Sequence, residues 1–241
     1  MRPHLLIALV IGSTAGAAFS QSAVDTQESY VAKPLAQIAR GSLIVLLPSI
    51  ASQALIARAE GHVVGEVAKQ LRAAGLRASV LDEASYSALL SAAEDSTDGN
   101  SSAIASGTAD RRLRALPLIA EEICAQTKCV AIVEARIVSR RMKVRDRHAE
   151  WDGVARRLPF SNSSGNIHEF KGNAAGLSVA ILAISASGKV MFRTYGGAAI
   201  PFEMDAVAKS ARLRADLFAD PDEVVEGVEV AIRPLVQAAG R

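Results

Sequence analysis

An almost continuously apolar stretch near the carboxyl end, from Leu177 to Ile184, is the clearest element in the hydrophobic pattern of the chain. Its positions are apolar on both sides of an extended strand, which is typical of a strand covered on both faces of a sheet. The segment Ala186-Ser187-Gly188-Lys189 breaks the pattern, and a second strand pattern follows. We therefore predict a hairpin whose first strand lies in the middle of a sheet.

The opening of the domain follows the order strand, helix, strand. Residues 42–47 form an apolar strand pattern, 50–74 repeat apolar positions at helical spacing, and 77–81 form a short second strand. Gly75 is a typical helix-terminating residue. This order predicts a βαβ unit with parallel strands. The turn at 47–52 has no glycine, so the unit is not predicted to bind a nucleotide.

Two more helices are predicted before the middle of the chain. Asp82 can cap the first, which runs to about Ala93. The second spans 110–126, and Pro117 must start a new turn there or kink the helix.

The middle of the chain contains one strong strand pattern, residues 129–138. It is expected to continue, bent or bulged, into 139–148, and 150–158 can pair back on it. Two polar stretches, 94–109 and 159–175, are predicted to be flexible loops because they have little apolar content.

The carboxyl end is predicted to be a helix. Asp220-Pro221-Asp222-Glu223 combines an N-cap candidate, a proline at the first helical position and a glutamate at the third. An apolar face follows as far as Leu235, so the helix is expected to dock on the sheet. The segment 202–218 before it indicates one short helix.

These elements together predict an α+β fold, in which helices pack on a mixed sheet and a carboxyl-terminal hairpin and helix follow the opening βαβ unit. Residues 42–238 are expected to form a single domain. Residues 1–20 have the basic start, apolar core and small residues of a secretory signal peptide. Residues 21–41 are expected to be a flexible leader.

The charge and the cysteines refine the expected compartment. The formal net charge of +2 is too small to predict nucleic-acid binding. No apolar stretch after the signal peptide is long enough to cross a bilayer, so we expect a periplasmic or secreted protein without a transmembrane segment. In an oxidising compartment, Cys124 and Cys129 are expected to form a disulfide.

A row of basic residues is the main candidate binding site. Arg141, Lys143, Arg145 and Arg147 alternate along the predicted strand and would form a positive ridge of roughly 20 Å. The ridge suits an anionic partner such as lipid headgroups, cell-wall polymer or an acidic protein surface, or it prevents an exposed edge from pairing. Trp151 ends this stretch and is either an interface anchor or a packed ring.

The histidines do not form a recognisable catalytic or metal-binding pattern. His148, Glu150 and Asp152 alternate, and we place them on the face opposite the basic ridge, as a solvated polar face without a fourth metal ligand. His62 is expected at the surface of the first helix, and His168 lies in the second polar stretch. No serine-hydrolase motif stands in a strand–turn–helix context, and no cofactor or metal is predicted.

Three segments carry a resemblance to a group of bacterial envelope proteins: 43–48 (Leu-Ile-Val-Leu-Leu-Pro), 129–134 (Cys-Val-Ala-Ile-Val-Glu) and 180–192, which contains the Ser-Gly turn. The chain resembles the TolB amino-terminal domain, the curli-pore lipoprotein and the lipoprotein activators of penicillin-binding proteins over roughly 42–238. The resemblance implies a non-catalytic role in the envelope that depends on protein–protein interactions. The lipoprotein members carry a lipidated cysteine that this chain lacks.

We therefore expect a non-catalytic, exported accessory or assembly protein that contacts an envelope protein or an anionic envelope component. Two alternatives remain open. One is a secreted hydrolase with a site built from loops 94–109 and 159–175, and the other is a protein that binds a small envelope ligand in an apolar cavity.

Overall fold

A computed structural model describes residues 24–32, 38–51, 53–98, 108–161, 171–205 and 210–239. The predicted signal peptide (1–20) and His168 lie outside these ranges. The described chain forms four helices, a mixed eight-stranded sheet and a separate two-stranded sheet, so the predicted α+β class is confirmed.

The helices are α1 (Ala54–Ala73), α2 (Glu83–Asp98), α3 (Thr108–Thr127) and α4 (Asp222–Ala239). The strands are β1 (Tyr30–Val31), β2 (Leu43–Leu46), β3 (Arg77–Val80), β4 (Ala131–Arg145), β5 (His148–Trp151), β6 (Val154–Arg157), β7 (Lys171–Ser185), β8 (Val190–Ala199), β9 (Phe202–Asp205) and β10 (Ser210–Leu213).

The strand order of the large sheet is β1-β8-β7-β4-β2-β3, with β5 and β6 extending from β4. Strand β2 pairs in parallel with β3 and with β4, so the predicted parallel strands of the opening unit are confirmed. The apolar strand β7 lies between β8 and β4, which confirms its predicted interior position. In the turn from β7 to β8, Gly188 has φ +69° and donates its N–H to Ser185 O at 2.9 Å.

The predicted helix ends depend on local hydrogen bonds. The Asp82 carboxylate accepts the Ser85 N–H at 2.8 Å at the start of α2, and hydrogen bonds from Ser85 lower the pKa of Asp82. Gly75 follows α1 with φ +83°, a conformation that favours glycine. Before α4, Asp220 Oδ1 accepts the Asp222 N–H at 2.9 Å. These three residues therefore act as the sequence predicts.

The chain divides into two compact units, which are described separately. Unit 1 comprises the described residues within Met1–Gln27, Ile137–Val179 and Tyr195–Val230, and unit 2 comprises those within Glu28–Arg136, Ala180–Thr194 and Ala231–Arg241. The expected single domain over 42–238 stays a prediction.

The core of unit 2 is an apolar cluster that includes Val45, Leu116, Ile132 and Ile184. The predicted disulfide is closed within this cluster, where Cys124 near the end of α3 bonds to Cys129 just before β4. The closed loop is short, so the chain-entropy account gives it about 2 kcal/mol of stabilisation.

The core of unit 1 is a smaller cluster around the buried ring of Trp151. The Trp151 Nε1–H donates to Leu177 O at 3.1 Å. A Cβ atom placed on Gly176 or on Gly197 would lie only 3.0 or 2.9 Å from the ring. Both glycines are therefore required by the close approach of the indole to the strands.

Three predicted segments are wrong in the described residues. Helix α2 continues to Asp98, so 94–98 is helical and not a loop, and β7 begins at Lys171, inside the predicted loop 159–175. Segment 202–218 contains the hairpin β9–β10 and not a helix, because Phe202 and Met204 alternate into the core of unit 1. Part of the expected flexible leader pairs as β1 with β8.

A candidate anion-binding face

The candidate site is built on three antiparallel strands of unit 1. Strand β4 ends at Arg145, the chain reverses over Asp146 and Arg147, and β5 returns along β4. Asp146 has φ 58°, the left-handed conformation that aspartate tolerates in a tight turn. Strand β6 then pairs with β5. This meander fixes which side chains are neighbours across the strands.

The register brings basic residues of different strands side by side. Lys143 lies opposite Glu150, and Arg145 lies opposite His148. His148 lies opposite Arg157 on its other side. Residues directly opposite in antiparallel strands share a face, with Cβ atoms about 5 Å apart. Arg145, His148 and Arg157 therefore form one row across the three strands.

Burial alternates along each strand, so the two faces of the meander are unlike. The inward side chains, which are buried or half-buried, are those of Met142, Val144, Ala149, Trp151, Val154 and Arg156. We call the exposed side the basic face, and its members are Arg141, Lys143, Arg145, Arg147, His148, Glu150 and Arg157.

The basic face carries more positive than negative side chains. Within the described part of the chain, none of its five Lys and Arg side chains forms an ion pair. Glu150 is the acidic residue on the strands of this face, and a second one, Asp146, lies beside Arg147 in the turn. Unpaired cations clustered on one surface create a positive potential that attracts anions.

The structure corrects one expectation about this region and decides between two alternatives for Trp151. His148 and Glu150 share a face with the basic residues and do not lie opposite them, because the chain reverses at 146–147. Trp151 is 5% exposed and belongs to the core of unit 1, so it is not part of an exposed binding surface.

Arg157 is a member of the face that the sequence alone did not indicate. It lies ten positions beyond Arg147, and only the pairing of β5 with β6 brings it beside His148. The available signal was the alternation of polar and apolar residues from 148 to 157, which predicts strands but not their register.

A polar cluster lies behind the basic face, around Arg140. Its guanidinium donates to both Asp152 oxygens at 3.0 and 3.2 Å and to the carbonyl oxygens of Asp25 and Gln27 at 2.6 and 2.8 Å. Its Cζ lies 3.9 Å from the centre of the Tyr195 ring. Burial disfavours the charge of Arg140, but the hydrogen bond and charge of Asp152 outweigh it and raise the pKa of Arg140. All three guanidinium nitrogens donate, so the cluster attaches residues 25–27 to β4.

Unit 1 also contains a cleft of about 290 Å³. It is lined by Arg156, Arg157, Pro159, Ile200, Glu203, Arg214, Asp216 and Glu223. Arg156 pairs with Glu226, and Arg214 pairs with Asp216 and Glu223. The hydrogen bonds that Arg214 donates to the Asp216 carboxylate raise the pKa of Arg214 and lower the pKa of Asp216. Most of the positive charge in the cleft is thus neutralised internally, in contrast to the basic face.

The other candidates within the described residues do not form a metal site. Among the described residues, no group of three or more His, Cys, Asp or Glu side chains is arranged to hold a metal ion. His62 is exposed on α1, as predicted. None of the described helices is both long enough and apolar enough to cross a membrane.

The geometry defines an α+β protein with a basic sheet face, and comparisons with known proteins add only a general likeness of backbone shape. No protein-family model and no curated protein matches the chain. Among solved structures, it is similar to a PelC dodecamer from Paraburkholderia phytofirmans, with 13% identity and a TM-score of 0.36 over 82% of this chain and 89% of that chain.

A second similar structure is the dodecamer of a PelC point variant from the same organism, with 12% identity and a TM-score of 0.35 over 89% of this chain and 98% of that chain. Sequence identities and TM-scores this low give no basis for assigning a function to this chain.

Proposed function

We propose that this chain is a non-catalytic accessory or assembly protein of the cell envelope that binds an anionic envelope component through the basic face. The observation that carries the proposal is the set of five exposed Lys and Arg side chains on one meander, without ion pairs to described residues. Such a surface attracts negatively charged partners and discriminates against basic ones.

The disulfide supports an extracytoplasmic location for this role. The Cys124–Cys129 bond is closed, and structural disulfides are typical of proteins that mature outside the reducing cytosol. The amino-terminal pattern of a signal peptide supports the same compartment. The proposed localisation is therefore the periplasm or the exterior of the cell.

The double variant Lys143→Glu/Arg145→Glu tests the proposal. A photoreactive residue that replaces Ala155, an exposed position of β6 opposite Glu150, is used to crosslink the protein in intact cell envelopes. We expect the native face to capture an anionic component and the double variant to lose it, because two cations become anions. The side chains are exposed, so the fold should be unaffected, which a circular dichroism melting curve checks.

The matched control is Arg77→Glu/Arg114→Glu, which makes the same charge change at two exposed arginines of unit 2. Crosslinking in this control should equal that of the native protein. Equal capture by the native protein and by the Lys143→Glu/Arg145→Glu variant would overturn the proposed function.

A further inference from the structure

We propose that the anionic component is the headgroup layer of a lipid bilayer, so that the basic face is a peripheral membrane-docking surface. This inference rests on the proposed function and deepens it by naming the partner. Three features of the face favour a lipid surface over a protein or a linear polyanion.

The first feature is the two-dimensional arrangement of the cations. Arg141, Lys143 and Arg145 follow one another at every second residue of β4, about 7 Å apart. Arg157 lies in register with Arg145, two strands away, at about 10 Å. The charges thus form a patch across three strands and not a single line. A headgroup layer presents charges in two dimensions and can meet all of them together, whereas a linear polymer follows one row.

The second feature is the absence of an apolar centre in the face as the structure describes it. Protein–protein interfaces are usually centred on aromatic or aliphatic residues and are poor in lysine. The aromatic residue of this meander, Trp151, points inward and is buried. Ala155 is the apolar residue on the exposed side. The face therefore lacks the desolvated centre of a protein interface.

The third feature is the position of the face relative to the cleft. Arg157 belongs to the basic face and also lines the cleft, where the other two arginines are paired with carboxylates. The unpaired cations are therefore concentrated on the exposed sheet surface and not in a concave pocket that would select a small ligand. Attraction by such a surface is purely electrostatic, reversible and sensitive to salt.

The expected strength follows from the number of cations. Each Lys or Arg close to an anionic membrane surface strengthens binding by about fivefold. Loss of the two cations Lys143 and Arg145 should therefore weaken binding by about 30-fold. Their reversal to glutamate should weaken it further because like charges then repel.

The experiment measures co-sedimentation of the protein, purified from the envelope of expressing cells, with lipid vesicles. One vesicle contains equal parts of phosphatidylglycerol and phosphatidylcholine, and the other contains phosphatidylcholine alone. The proteins are the native chain, Lys143→Glu/Arg145→Glu and the control Arg77→Glu/Arg114→Glu. A third arm replaces vesicles with poly-glutamate coupled to sedimenting beads.

We expect the native and control proteins to bind the phosphatidylglycerol vesicles at low salt and to be released at about 0.5 M salt, where the Debye length is only about 4 Å. The double variant should bind at least about 30-fold more weakly. If the double variant is unfolded, Lys143→Gln/Arg145→Gln replaces it. This variant should bind the phosphatidylglycerol vesicles about 30-fold more weakly than the native protein does.

The outcomes separate this inference from the proposed function. Equal binding to the two vesicle types, or binding to poly-glutamate that exceeds binding to phosphatidylglycerol vesicles, overturns the lipid surface. In the poly-glutamate case the anion-binding function survives. If the double variant equals the native protein with every probe and also in the envelope crosslinking, both proposals are overturned.

Discussion

Unit 2 buries an ion pair inside its apolar core, whereas unit 1 keeps its arginine–carboxylate groups close to the surface. In unit 2, Arg112 pairs with Glu134, and their side chains are 9% and 7% exposed. Arg112 Nη2 lies against Glu134 Oε1, but the Tyr86 hydroxyl and Arg112 Nε have no hydrogen-bond partner among the described residues. Arg140 in unit 1 uses its donors on Asp152 and on two carbonyl oxygens. The comparison shows that the more buried arginine is the less completely satisfied one.

Glu134→Ala is expected to have the largest effect, because it leaves the buried Arg112 without a counter-charge. Breaking one side of a buried pair typically costs 3–5 kcal/mol, so the unfolding free energy in urea should fall by about 4 kcal/mol. Replacing both partners, as in Arg112→Met/Glu134→Leu, should be nearly neutral or stabilising. If the unfolding free energy of Glu134→Ala is lower than that of the native protein by less than about 1 kcal/mol, the ion pair is not buried in solution.

Gly227→Ala in unit 1 and Gly65→Ala in unit 2 are matched changes in two helices with opposite expected signs. A Cβ on Gly227 of α4 would lie 3.0 Å from the backbone oxygens of Gly196 and Gly197, which cannot move aside easily. We expect Gly227→Ala to lower the free energy of unfolding by about 1–3 kcal/mol.

Gly65 of α1 has nothing within 4 Å of its added Cβ. The substitution there should stabilise the protein by about 0.5–1 kcal/mol through helix propensity. Thermal melting measures both variants. Equal effects at the two positions would contradict the close helix–strand contact in unit 1.

Arg140→Lys tests how unit 1 fastens residues 25–27. Lysine cannot donate two parallel hydrogen bonds to the Asp152 carboxylate, and it has no planar group to stack on the Tyr195 ring. We therefore expect the free energy of unfolding to fall by about 1–2 kcal/mol. The Asp25 N–H, which donates to Ser139 O at 2.8 Å, should then exchange its hydrogen faster. Arg141→Lys at the exposed neighbour is the control and should leave that exchange unchanged.

Tyr86→Phe is expected to have the smallest effect at neutral pH, within about 1 kcal/mol of zero or stabilising, because the buried hydroxyl that it removes has no hydrogen-bond partner in the part of the chain that the structure describes. Burial raises the pKa of Tyr86 from 10 to about 12. The folded state therefore holds this proton more tightly than the unfolded state does. Its contribution to stability is fully present below pH 10 and is lost as the pH rises toward 12.

Urea unfolding of the native protein and of Tyr86→Phe at neutral pH and above pH 10 measures this dependence. The difference in unfolding free energy between the two proteins should shift in favour of phenylalanine as the pH rises. A constant difference would show that the Tyr86 hydroxyl is solvated.

The strands and helices with long apolar patterns were predictable from the sequence. Strand β7 is apolar at nearly every position and lies inside the sheet, and the caps at Asp82 and Asp220 act where the sequence places them. The end of α2 was not predictable, since Glu94 and Asp95 can lie on the solvated side of a helix as readily as in a loop. Local pattern thus defines buried elements better than exposed ones.

The candidate site was predictable in part. The alternating cations of β4 were visible in the sequence, but the position of His148 beside Arg145 depends on the turn at 146–147. The burial of Trp151 depends on Gly176 and Gly197, which come from two other strands. No local pattern contains these long-range contacts, so sequence reasoning left the ring as either exposed or packed.

The two-residue reversal after Arg145 has a consequence for how the protein can diverge. Odd-numbered positions from 141 to 145 face water, while Met142 and Val144 face the interior. Mutations at the outer positions can alter the charge of the face without disturbing the packing beneath it. Affinity for a partner and the stability of the fold can therefore evolve separately. A shift of pairing by a single residue would abolish that independence, because it would exchange the two sets of side chains.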